Sequence, residues 1–132
     1  MHSKNAHQLA EYLSTSEHIK ETRYPGLKDS KNHDIASKQM DYFGGMLSFF
    51  LEDHIDQPTF WESLNLYKLA VSLGGVETLI EVPYLMTHEK VTGLEGEVIN
   101  NAPEDLIRIS VGIENIEDFI DDMDSALNAS KK

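Results

Sequence analysis

Leu69-Ala70-Val71-Ser72-Leu73-Gly74-Gly75-Val76-Glu77-Thr78-Leu79-Ile80-Glu81-Val82-Pro83-Tyr84-Leu85-Met86-Thr87-His88 is the stretch on which the fold turns. An apolar run is broken by a glycine pair, resumes as Leu79-Ile80-Glu81-Val82, and stops at Pro83. The pattern predicts a strand over 66–73, a tight glycine-dependent turn, a second strand and a proline-ended exit. Read locally, this is a hairpin or a bulge. Paired glycines also let the backbone approach something closely, either a packed neighbour or a ligand.

Downstream, 89–105 holds Gly93, Gly96, Asn100, Asn101 and Pro103 and reads as a loop. Leu106 to Ile113 reads as a strand, with Leu106, Arg108 and Ser110 on one face and Ile107, Ile109 and Val111 on the other. Asn115 then caps the clearest helix of the chain. Ile116, Phe119, Ile120, Met123 and Leu127 form its apolar stripe, and acidic residues line its wet side.

Upstream, Ala6, Leu9, Ala10 and Leu13 recur at helical spacing, with Ser3 as the candidate N-cap. A short strand around Ile19 runs into the Pro25-Gly26 turn. Ser30 is the candidate cap of a second helix reaching Met40, whose apolar face of Ile35, Ala36 and Met40 is thin. Met46 to Leu51 is a dense apolar strand after Gly44-Gly45, and Pro58 suits the first turn of a third helix. The sum is an α+β class: a small, largely antiparallel sheet with helices packed mainly on one face.

The 132 residues form one expected domain with its own core. A formal net charge of −12 disfavours nucleic acid and anionic membranes as partners. There is no cysteine, which removes disulfides, thiolate metal sites and thiol catalysis, and suits a cytoplasmic protein. No signal-type run and no stretch of transmembrane length is present.

Candidate chemistry is sparse. The six histidines show no i, i+4 pairing, so no metal site is expected. Asp118, Asp121, Asp122 and Asp124 lack the central glycine and closing glutamate of a calcium loop. Neither glycine pair belongs to a phosphate-binding motif. Arg108 is the informative charge. It lies mid-strand among apolar neighbours, so its guanidinium must meet an anion. That anion is an internal carboxylate (Glu77, Glu81 or Glu114), or else a substrate carboxylate received by the two-pronged fork. Ser72, before Leu73-Gly74-Gly75, either bonds its local turn or faces a site.

Ser72-Leu73-Gly74-Gly75-Val76-Glu77-Thr78-Leu79-Ile80 with the later Pro83 and Met86-Thr87-His88 resembles a signature of the pyridoxal-phosphate-dependent trans-sulfuration enzymes. Arg108-Ile109-Ser110-Val111-Gly112-Ile113-Glu114 is similar to that family's closing strand. Tyr24-Pro25-Gly26-Leu27 and Phe43-Gly44-Gly45-Met46-Leu47-Ser48-Phe49 resemble further blocks, in the family's order. The resemblance covers the family's C-terminal domain and implies the same sheet-and-helix architecture. It implies that Arg108 binds the α-carboxylate of an amino-acid substrate, that Ser72 lies beside it, and that Val71, Leu73, Gly74 and Gly75 form the site wall. Several family members carry Glu where this chain has Val71, which leaves methionine γ-lyase-like and sulfhydrylase-like branches open. The cofactor lysine and phosphate-binding motifs of the large domain do not occur here. The resemblance thus implies that the chain alone binds no cofactor and has no catalytic residue. Pyridoxal phosphate, a large-domain partner and a homo-oligomer would belong to the complete enzyme. A stand-alone interaction or regulatory domain is the alternative.

Overall fold

A computed structural model of the chain describes residues 1–70, 72–84 and 103–132. The elements run α1 (His2–Thr15), β1 (Ile19–Arg23), α2 (His33–Gln39), β2 (Met46–Leu51), α3 (Gln57–Ser63), β3 (Lys68–Leu69), β4 (Leu79–Glu81), β5 (Ile107–Ser110) and α4 (Ile116–Ala129). Among the described residues these elements follow the order expected from periodicity. The strands form a single sheet ordered β1-β2-β5-β4-β3. Three of its pairings are antiparallel, and β3 with β4 is parallel.

Side-chain alternation divides the sheet into two unlike faces. Leu47, Phe49, Ile80, Ile107, Ile109 and Val111 are buried with Leu9 and Leu13 of α1 and with Met123 and Leu127 of α4. The helical face thus holds the core. The opposite face carries Met46, Ser48 and Phe50 from β2, Arg108 and Ser110 from β5, and Leu79 and Glu81 from β4. Helix α4 is capped by Asn115, whose side chain accepts from Glu117 N. Tyr67 donates to the Phe119 carbonyl at 2.9 Å. Burial, helped by nearby Asp122, pushes its phenol far above the usual range, so it remains a donor.

The hairpin expectation fails. β4 runs parallel to β3, with Lys68 opposite Leu79 and Leu69 opposite Ile80. Among the described residues the expected strand over 66–73 is confined to Lys68–Leu69, with Val71 outside them, and 72–77 are exposed. A parallel crossover normally needs a dozen residues or more. Here a two-residue edge strand leaves little length to retrace.

Ser3 and Ser30 do not cap helices. α1 starts at His2 with Met1 at the cap and no side-chain bond, so Ser3 falls inside the first turn. α2 starts after Asn32, because Ser30 is used in a preceding turn in which His33 N donates to its carbonyl. Of the thin α2 face only Ala36 is buried. The expected loop over 89–105 lies outside the described residues as far as 102; from 103, Leu106 N closes a turn on the Pro103 carbonyl.

Asp56, unforeseen, caps α3 by accepting from Thr59 N at 3.2 Å and Thr59 Oγ1 at 2.5 Å. These bonds, the hydroxyl's first, hold its carboxyl below the usual carboxylate range. Because the folded value is the lower one, the cap contributes in full above the unfolded pKa. The contribution is lost as pH falls through the folded value. Asp56→Ala should therefore lower the melting temperature at neutral pH, and the gap to wild type should close below about pH 4. A gap that persists unchanged in acid, in paired thermal melts, would refute the cap assignment.

Candidate functional site

Arg108 stands near the centre of the sheet because β5 does, with β2 on one side and β4 on the other. Its register partners are Ser48 on β2 and Glu81 on β4, and Arg23 of β1 lies beyond Ser48. The face opposite the core is therefore crossed by a polar row, Arg23–Ser48–Arg108–Glu81. Arg23 is occupied elsewhere: its Nε donates to Glu21 at 2.8 Å, and its guanidinium lies over the Phe50 ring.

Of the three carboxylates considered for Arg108, the structure selects Glu81, whose Oε1 pairs with Arg108 Nη2. Direct opposition across an antiparallel pair brings these side chains together. Glu77 instead pairs with Lys68 Nζ at 3.0 Å. Glu114 accepts from Thr78 N and from the Thr78 hydroxyl, the latter at 2.7 Å. The Arg108 side chain keeps 29% of its surface exposed, whereas that of Glu81 keeps 4%. The other Glu81 oxygen, Oε2, is buried and has no hydrogen-bond partner among the described residues.

The glycine loop approaches this face through its backbone. Gly74 has φ +77°, a conformation that disfavours side chains. Its N–H donates to Ser110 Oγ at 2.8 Å. Ser110 lies two positions after Arg108 on the same face, so the loop is tied to the strand carrying the arginine. Ser72, Leu73 and Gly75 are exposed on the same segment, and Val71 lies outside the described residues.

A second anchor fixes the loop's far end. Gly112 N donates to Thr78 Oγ1 at 2.9 Å, and Ile113 N donates to the Val76 carbonyl at 3.0 Å. Asn5 of α1 reaches across to the carbonyls of Gly112 and Glu114 at 3.1 and 2.9 Å. Val111 N donates to the Gly45 carbonyl at 2.8 Å, which gives the first glycine pair its packing role. Ser110, Thr78, Glu114 and Asn5 were not foreseen as parts of this assembly. Only Ser110 left a local signal, its i, i+2 spacing from Arg108. The others meet across long sequence separations.

His18 Nδ1 and His54 Nε2 lie 2.9 Å apart. Among the described residues no group of three or more His, Cys, Asp or Glu side chains is placed to hold a metal ion, and His88 lies outside them. No helix among the described residues is long and apolar enough to cross a membrane.

Comparison with known proteins matches this geometry to a family. Cystathionine beta-lyase of Lactococcus lactis subsp. cremoris is 48% identical over 126 residues, covering 96% of this chain and 33% of the relative. L-methionine gamma-lyase of Fusobacterium nucleatum subsp. polymorphum is 43% identical over 127 residues, covering 96% of this chain and 32% of the relative. The crystal structure of cystathionine gamma-lyase from Lactobacillus plantarum complexed with L-serine superposes with a TM-score of 0.85 at 36% identity, over 98% of this chain and 34% of that one. The chain thus spans about a third of the length of the relatives it matches. The model of the Cys/Met metabolism PLP-dependent enzymes matches residues 1–128, and the chain belongs to that family.

Proposed function

We propose that this chain is the C-terminal domain of a pyridoxal-phosphate-dependent lyase or synthase of sulfur amino-acid metabolism. It receives the substrate's α-carboxylate and closes over the cofactor held by the rest of the enzyme. Arg108 is the receiving group, Ser72 lies beside it, and Val71, Leu73, Gly74 and Gly75 form the wall. The observation that carries this reading is the state of Arg108. It is paired through one nitrogen and partly exposed on the face opposite the core. A guanidinium offers five donors, so the fork keeps capacity for a second carboxylate.

Among the described residues no lysine is placed to hold the cofactor. Every lysine among the described residues is exposed, and Lys90 lies outside them. A Schiff-base lysine needs a desolvated or electrostatically tuned pocket. The large domain of the same enzyme is the expected partner that supplies it. Leu69, Leu73, Val76 and Ile113 are exposed near the glycine loop, consistent with docking at that end of the sheet. Exposed Tyr42 and Val76 likewise suit self-association, while Phe43 and Tyr84 are partly covered by the core and Leu85 and Met86 lie outside the described residues. A cytoplasmic setting fits the cysteine-free composition.

The test is Arg108→Lys in the complete enzyme, which keeps the charge and loses the fork. Affinity for the amino acid should fall by ~1–3 kcal/mol. Substrate titration and thermal melts are run together. A large drop in melting temperature with unchanged affinity would end the proposal.

A further inference from the structure

The ion pair of Arg108 is unusual in what it leaves open. Glu81 uses Oε1 on Nη2, and its Oε2 is buried with no hydrogen-bond partner among the described residues. A purely structural buried pair gains most when both carboxylate oxygens and the fork are satisfied. This one is held at a single point. Among the described residues the register partner of Arg108 on the other side is the uncharged Ser48, and the next cation in the row, Arg23, is paired with Glu21. Among the described residues the guanidinium is thus paired with one carboxylate, from β4, and its side chain keeps 29% of its surface exposed.

We infer that Glu81 is a resident carboxylate that sets the affinity of Arg108 for carboxylate ligands. It fixes the plane of the guanidinium through Nη2 and offsets its charge, so an incoming carboxylate meets an oriented but half-neutralised receptor. Glu81 is therefore a positioning and affinity-limiting residue. The inference rests on the carboxylate-binding reading of Arg108 and adds that the site is tuned below its full strength by a residue of its own sheet. The ligand class is a monocarboxylate small enough to reach the exposed edge of Arg108. The amino-acid substrate is one member, and a simple aliphatic acid is the probe.

The test uses the complete enzyme, with propionate and its uncharged counterpart propionamide as competitive inhibitors. Glu81→Gln keeps an oxygen acceptor for Nη2 and removes the charge. Inhibition by propionate should tighten about 3- to 10-fold, the size of one partly screened charge at close range, while propionamide should not change. Glu81→Met removes charge and acceptor together and guards against a folding failure of the first variant. The ratio of propionate to propionamide affinity should rise in it too. A propionate constant that is unchanged or weaker in both variants, or a parallel shift of both inhibitors, would overturn the inference. Arg108→Gln separates the two levels of the argument. If it weakens propionate while the Glu81 variants do nothing, only the role of Glu81 fails. If it leaves propionate untouched, the carboxylate-binding reading of Arg108 fails.

Discussion

Arg108→Ala should destabilise the chain by about 3 kcal/mol, the low end for breaking a buried pair, because the arginine itself is partly exposed. The loss comes from what remains behind. The Glu81 side chain is only 4% exposed, and without Arg108 neither of its oxygens has a partner among the described residues. An uncompensated carboxylate in that position costs more than the pair contributes when intact. A second substitution exposes the cause. Arg108→Ala with Glu81→Leu removes both charges and should recover most of the lost stability. Urea unfolding of the two single variants and the double variant closes the cycle. If the double variant is as unstable as the sum of the single ones, the pair does not couple and its assignment is wrong.

Gly112→Ala should cost ~3 kcal/mol or more through overpacking. A methyl group there would collide with the Val76 carbonyl oxygen and Glu114 Oε1, and would lie 2.8 Å from the Glu77 carbonyl carbon. Two of those three atoms are backbone, which cannot rotate away. Relief requires the loop to lift from β5. That would break the bonds from Gly112 N to Thr78 Oγ1 and from Ile113 N to Val76, and would put strain on the Gly74–Ser110 contact. Carboxylate affinity in the complete enzyme should fall with stability. Gly75→Ala is the control. Nothing lies within 4 Å of a methyl group there, so its stability should change by less than ~0.5 kcal/mol. Equal melting temperatures for the two variants would show that the loop is not clamped at Gly112.

How much of this was legible beforehand depended on the range of the interaction. The strand expected over Leu106–Ile113, observed as Ile107–Ser110, the helix after Asn115 and the apolar run at Met46–Leu51 were readable because period and cap are local properties. Arg108 was readable as a charge that needed an anion, since an apolar strand on both sides leaves it no other role. The resemblance of the glycine block and the closing strand to one enzyme family was also there in the chain, and the family assignment stands.

The sequence by itself therefore determined the order of the described elements, the α+β class and the family, because these follow from short-range periodicity and contiguous motifs. Only the tertiary structure decided the direction of β4 against β3, which turns on how 72–77 travel through space rather than on the two strands. It also chose among Glu77, Glu81 and Glu114. All three are chemically able to meet Arg108, but the register of β4 against β5 puts Glu81 opposite, while Lys68 and Thr78 take the other two. The Thr78–Glu114–Asn5 clamp came from the same source. Its members are joined by hydrogen bonds spanning up to 109 positions, and no local pattern encodes a partner at that distance.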